Sequence, residues 1–254
     1  MKRLFIATLC IGSLFISSTV AATTTTPWVA LEGGMDFSMQ ATHANVVPMP
    51  NVDLPDNYLF THLHNTWMLG VGAGYQFTRP QSLFPSLAAK WLPSDRLGVF
   101  YDYYAPQQLS GVINKYMTNT AYTDHVTVHS HTLWLDNQLD IAQLHAFTPF
   151  VDLGLGLSQN TTADYAEAPT VDNLEPRGDS AAFARHNNWA LAYRAGFGVN
   201  YHLATKQPMD IGMMYRYTNR GRAKTGDSAN YPIGALSSNH LTSNEISLVF
   251  RSYF

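Results

Sequence analysis

The chain has almost no cysteine: of its 254 residues only Cys10 is one. Cys10 lies within an apolar N-terminal run, so the remainder has no thiol, which excludes intrachain disulfides and thiolate chemistry. Charge is scarce as well, with 15 Lys and Arg against 18 Asp and Glu, and no basic block stands anywhere in the chain. Nucleic-acid binding therefore lacks its electrostatic footprint and is not expected. Long hydrophobic runs are missing too. Beyond the N-terminus no stretch approaches the about 20 apolar residues that a membrane-spanning helix needs. No spacing of Ser, His and Asp marks a positioned hydrolytic triad, so an enzyme is not expected and no cofactor is implied. Ser110 with His125 is a pairing by composition alone. Ser130 and His129, as neighbours on a strand, would point to opposite faces.

The N-terminus carries an address. Lys2 and Arg3 form a basic start, residues 4–16 are mostly apolar, and Val20, Ala21 and Ala22 fit the small-residue rule for cleavage. Residues 1–22 are expected to be a removed export signal and residues 23–254 the mature domain. The apolar run is too short to span a bilayer as a helix.

What the chain has in quantity is aromatic residues, 14 Tyr, 13 Phe and 5 Trp, set in segments that alternate with period two. Eight such segments can be read: residues 28–38, 66–77, 92–104, 122–141, 149–158, 189–203, 209–218 and 244–254. In the sixth, Trp189, Leu191, Tyr193, Ala195, Phe197, Val199, Tyr201 and Leu203 form one face. Ala190, Ala192, Arg194, Gly196, Gly198, Asn200 and His202 form the other. In the last, Ile246, Leu248, Phe250, Ser252 and Phe254 oppose Glu245, Ser247, Val249, Arg251 and Tyr253.

Throughout, one face is bulky and apolar and the other holds Gly, Asp, Arg and Asn. A soluble sandwich or lipocalin-like barrel would bury the bulky face and could not build a core from the second set. A membrane barrel turns the bulky face to lipid and the polar face to its lumen, and the core of each segment has about the 9–11 residues a tilted strand needs to cross. Closure satisfies every backbone group, as lipid requires. The predicted fold is all-β, a single eight-stranded antiparallel up-and-down transmembrane barrel.

The connections alternate as well. Residues 39–65, 105–121, 159–188 and 219–240 are long, whereas 78–91, 142–148 and 204–208 are shorter. Long outer loops and short periplasmic turns are the habit of outer-membrane barrels. The long stretches hold Pro48, Pro50, Pro55, Pro106, Pro169, Pro176 and Pro232, and these are expected to keep them out of regular pairing. Aromatic rings expected at the two membrane interfaces include Trp28, Trp67, Tyr103, Trp189, Tyr201, Tyr217, Phe250 and Phe254.

The signal at 1–22, the alternation at 189–203 and 151–157, and the ending Leu248-Val249-Phe250-Arg251-Ser252-Tyr253-Phe254 together give a resemblance. The chain resembles the small eight-stranded outer-membrane proteins, the broad OmpA-like, OmpW-like and Opa-like group, over essentially its whole mature length. The group's terminal strand usually carries a hydrophobic residue third from the end, where this chain has Ser252. No wall-binding domain is seen after the barrel, so a wall-tethering role is not implied. The resemblance implies outer-membrane lipids and the barrel-assembly machinery as partners, and a Gram-negative outer membrane as location.

The inward face should gather Glu32, Asp36, Asp102, Asp136, Asp140, Asp152, Asp210 and Glu245 with Arg96, Arg194, Arg216 and Arg251. Eight strands leave room only for side chains, so this set is expected to be an ion-pair network rather than a channel. The closing strand should pair with residues 29–37 and bring Arg251 to Glu32 or Asp36. His125, His129 and His131 share one strand face, with His62 and His64 a second pair, and they are the weak candidates for a metal. The long loops, with Tyr116, Tyr122, Tyr165 and Tyr231, offer a mixed polar and aromatic surface suited to adhesion by a monomeric barrel. The alternatives are passage of small or apolar solutes, and below that a lipid-modifying enzyme.

Overall fold

In the computed structural model of the chain, the described residues are 24–38, 43–47, 56–78, 90–115, 119–169, 183–228 and 235–254. The expected export signal with Cys10 lies outside them, as do Tyr116, Tyr231 and Pro48, Pro50, Pro55, Pro176 and Pro232.

Among the described residues fourteen strands are formed: β1 Thr24–Ser38, β2 His43–Val47, β3 Asp56–Leu63, β4 Thr66–Thr78, β5 Lys90–Trp91, β6 Ser94–Lys115, β7 Asn119–Asp140, β8 Ala142–Gln143, β9 Phe147–Pro169, β10 His186–Leu203, β11 Met209–Asn219, β12 Ala223–Lys224, β13 Ser237–Ser238 and β14 Thr242–Tyr253. Eight of them close a ring in the order β1, β4, β6, β7, β9, β10, β11, β14, and β14 returns to β1. Every pairing in the ring is antiparallel. In the closing pair Trp28 faces Tyr253, Asp36 faces Glu245 and Phe37 faces Asn244. The ring has no free edge at membrane depth, the condition under which a sheet can sit in lipid.

The two faces are sorted in the inverted sense. Outside, Leu31, Leu69, Leu133, Leu155, Met213 and Leu248 are exposed, with Leu191 at 80% and Phe197 at 61%. A continuous apolar belt of this kind is stable in hydrocarbon and would aggregate in water. Inside, Arg, Asp and Glu are buried among Trp28, Phe100, Trp134 and Phe150.

Three features depart from the sequence-based expectation. First, β6 and β9 run for 22 and 23 residues, far beyond what a bilayer crossing requires, while β7, expected over 122–141, spans Asn119–Asp140. Much of the expected loops 105–121 and 159–188 is strand. Pro106 sits at the irregularity between Tyr104 and Gln107, and Pro169 ends β9 opposite Tyr122, so neither proline prevents pairing. The extension was hidden because the alternation changes phase along the strand. On β7 the odd residues Leu133 and Leu135 are the apolar ones in the belt, facing out. Higher up the even residues Val126 and Val128 are the apolar ones, and they are buried. A strand that leaves lipid for water must turn its apolar side inward, so no single period-two pattern covers its length.

Second, the hairpin β2–β3 lies in the expected loop 39–65. β3 pairs with the upper part of β6, from Leu109 to Asn114, while β4 pairs with the lower part, from Ser94 to Tyr104. Third, Trp28 is not an interface residue. It is 2% exposed and packs inside against Phe100, ring centroids 5.6 Å apart. Its position next to the outward Val29 puts it on the lumen side.

Candidate functional site: a sealed lumen beneath an extended rim

Period-two geometry aims five arginines into the lumen, each on a different carboxylate or ring. At the end of the barrel where β14 finishes, Arg96 bonds Asp140 at 2.5 Å, Asp210 at 3.3 Å and the Tyr253 hydroxyl at 2.9 Å. In the middle Arg194 donates to Asp102 at 2.6 Å and to both oxygens of Asp136, with its guanidinium over the Trp134 ring. Arg216 holds Glu32 at 2.5 Å and Asp152 at 2.8 Å. At the outer end Arg220 meets Asp36 at 2.8 Å and lies 4.2 Å from the Tyr104 ring centroid. Arg220 was missed because it falls in the expected loop 219–240. The signal was the continued spacing Arg216, Thr218, Arg220, all buried.

The twelve charged residues expected in the lumen are thus all buried there. Two pairings differ from expectation. Arg251 reaches neither Glu32 nor Asp36: its Nη2 donates to the Gln138 amide oxygen at 3.1 Å, and its guanidinium lies 5.0 Å from the Trp28 ring centroid. Arg216 and Ser247 already bond Glu32, and Arg220 occupies Asp36, so Arg251 turns instead to the Gln138 amide, the Trp28 indole and the neighbouring Tyr253 hydroxyl. Glu245, fully buried, is not hydrogen-bonded to another described residue. Between these groups lies a cavity of about 10 Å³, lined by Trp28, Arg96, Phe100, Gln138, Arg216 and Arg251 among others. That is space for about one water molecule.

The barrel end near Tyr253 is latched. The Thr148 hydroxyl is 2.7 Å from His202 Nε2, and His202 Nδ1 is 2.6 Å from Asp210. This is the hydrogen-bond order of a hydrolytic triad, but Thr148 is 1% exposed beneath the imidazole and presents no nucleophile to a substrate. The outer pairs are equally unpromising for hydrolysis. The Ser110 hydroxyl lies 3.4 Å from His64 rather than on its cross-strand neighbour His125, and Ser130 is buried on Asn160. Ser252, irregular in the sequence, accepts a 3.0 Å bond from Gln207 of the β10–β11 turn, which gives its hydroxyl a use at the lower rim.

The interface rings Trp67, Tyr103, Trp189, Tyr201, Tyr217, Phe250 and Phe254 lie on the outer surface, with Trp67 and Tyr103 in edge contact at 5.7 Å. His125, His129 and His131 do not share a metal ion. Four strand residues separate the first two by roughly 13 Å, and among the described residues no group of three His, Cys, Asp or Glu is placed to hold one.

Above the belt the extended strands enclose an apolar plug of Leu63, Leu109, Ile113, Tyr122, Val126, Val128, Phe183, Leu236 and Leu241. Tyr122 is part of it and Tyr165 packs on Phe183 at 4.8 Å, so these tyrosines belong to the plug and not to an exposed binding loop. One carboxyl is buried here. Asp124, 1% exposed, faces Glu167 across the β7–β9 pair and is not hydrogen-bonded to another described residue. Burial pushes its carboxyl from 3.8 up to about 7, and the Glu167 charge adds to the rise. The folded rim therefore holds a proton that the unfolded rim has released. Its stability is greatest in acid, falls as pH climbs from about 4 through about 7, and is level above that. Hydrogen exchange of the β7 and β9 amides across this range should show the fall, and Asp124→Asn should abolish it. A wild-type profile flat between these values would contradict the assignment.

No family model matches the chain, and no curated protein does. Solved structures similar to it include outer-membrane proteins. Neisserial surface protein A is 14% identical, over 91% of this chain and 99% of that one, with a TM-score of 0.44. The outer membrane protein OprG of Pseudomonas aeruginosa is 13% identical, over 91% and 97%, with a TM-score of 0.47. The attachment invasion locus protein Ail of Yersinia pestis is 10% identical, over 90% and 97%, with a TM-score of 0.29. The class is defined by the chain's own strand order and its inverted faces: a small eight-stranded antiparallel transmembrane barrel.

Proposed function

We propose that the protein is a monomeric integral outer-membrane barrel of a Gram-negative cell, exported by a cleaved signal, that acts in recognition at the cell surface. Its partners on this reading are the membrane lipids, the barrel-assembly machinery and a surface or host ligand met by the outer rim. The observation that carries the reading is the division of labour along the barrel axis. The lumen is filled by paired arginines down to a cavity of about 10 Å³, while three strands continue well above the belt at the expense of surface loops. A filled lumen supports no solute path, and an ordered rim is a rigid platform of the kind binding sites use.

Two measurements test it. Purified protein in planar bilayers is expected to give no steady conductance, and protein lacking residues 39–65 is expected to fold yet lose binding to target cells. Steady cation-selective steps, or uptake of apolar solutes into liposomes that does not depend on the rim, would favour passage of solutes and sink the recognition reading.

A further inference from the structure

The outer surface of β3, β6 and β7 just above the belt is unusual in its side chains. Five of the chain's ten histidines stand there: His62 on β3 and His64 just after it, and His125, His129 and His131 on β7. β6 joins the two groups. His62 is level with Ser110, which is level with His125. Ring centroids are 5.7 Å apart in the pair His62–His64 and 5.8 Å in the pair His129–His131.

We propose that this face is a pH-gated contact for phosphate-bearing lipid headgroups of the outer leaflet. The inference rests on the membrane reading above. Depth is the first argument. The outward residues of β7 run unbroken from Leu135 and Leu133 in the belt to His131 and His129. Two strand residues advance about 7 Å along a tilted strand, and a headgroup layer is about 5–8 Å thick on each side. His131 and His129 therefore stand at headgroup level. The neighbouring rings agree: His131 contacts Tyr103 at 5.1 Å and bonds the Tyr101 hydroxyl at 2.6 Å, and Tyr103 contacts Trp67.

Charge is the second argument. Histidine is the side chain that gains a proton between about pH 8 and about pH 5, so the face turns cationic in mild acid. The groups around it oppose that in the absence of an anion. Burial, then the His131 and Arg185 charges, lower the His129 imidazole. The carboxylate placed on this side by register is Asp164, exposed in the β9 irregularity opposite Val126; Glu167 sits with Tyr165 and Asp124 is inside. Tyr101, Tyr103, Gln108 and Ser110 are neutral donors between the imidazoles. An anion with several acceptor oxygens would relieve the repulsion and use those donors at once. In a leaflet, the anion at this depth is a lipid phosphate.

The test folds the full chain into phosphatidylcholine vesicles with or without phosphatidic acid. Protein is then extracted in mild detergent at about pH 5.5 or about pH 8, and the phosphatidic acid retained per protein is counted by phosphorus NMR. Retention several-fold higher at the lower pH is expected. His129→Gln with His131→Gln should remove most of the difference. His129→Arg with His131→Arg should keep retention high at both pH values, which guards against a Gln variant that folds poorly. His145→Gln, in the β8–β9 turn at the opposite end, should behave as wild type. Equal retention at both pH values, no effect of the β7 substitutions, or full displacement by inorganic phosphate would overturn the lipid assignment while leaving the barrel intact. Failure to insert, seen as no heat-dependent gel shift, would overturn the membrane reading and this inference with it.

Discussion

Arg194→Ala is expected to abolish the folded barrel or leave it marginal. The substitution strands Asp102 and Asp136, both 3% exposed or less, without the guanidinium that neutralises them. Breaking a buried ion pair from one side costs about 3–5 kcal/mol, a large part of the about 5–15 kcal/mol that holds a typical domain. The site has no slack for another cation. Gly154 exists to make room for the pair, since a Cβ there would lie 2.8 Å from Arg194 Cγ. The measurement is the gel shift between boiled and unboiled protein after folding into vesicles. The control replaces the whole cluster by neutral residues, Arg194→Met, Asp102→Asn and Asp136→Asn, and should regain the folded band because no charge of this cluster is left unpaired. If Arg194→Ala alone folds with an unchanged urea midpoint, the lumen network is not what fills and holds this barrel.

Trp28→Ala should have the second-largest effect, and in two readouts. The indole fills the gap opposite two glycines: a Cβ on Gly98 would fall 2.4 Å from it, and a Cβ on Gly74 2.7 Å. It also carries the Arg251 guanidinium on its face. Truncating a buried Trp to Ala costs about 3–5 kcal/mol, so the urea midpoint in vesicles should fall markedly. The new void joins the cavity of about 10 Å³ that Trp28 and Arg251 line. More water should then enter the lumen, and brief ionic currents should appear in planar bilayers where none are expected from the wild type. Trp28→Phe should keep most of the stability. Currents from wild type equal to those from Trp28→Ala would mean that the indole does not seal the barrel.

Histidine chemistry was visible in the sequence but its arrangement was not. His129 and His131 read as a pair from spacing alone, whereas their link to His62 and His64 runs through Ser110 and the unforeseen pairing of β3 with the top of β6. The same pairing accounts for the misread loops. Residues 105–121 and 159–188 carry prolines, His and Thr, and their apolar residues are out of phase with those in the belt. Only the partner strands reveal that Leu109, Ile113, Val126 and Val128 meet in one plug.

By itself the sequence determined the eight strands of the ring, most of the lipid-facing and lumen-facing residues, and the closing of the last strand on the first. The physical reason is that side-chain direction has period two and lipid tolerates no polar face, so alternation states the architecture locally. The tertiary structure alone decided which charge met which. Arg251 went to Gln138 and Trp28, and Arg220 to Asp36, because long side chains in a closed lumen choose among several strands at once. It alone also placed Trp28 as a seal rather than an anchor. Which surface a ring covers depends on the glycines that the neighbouring strand sets against it, and that register exists only once the ring of strands has closed.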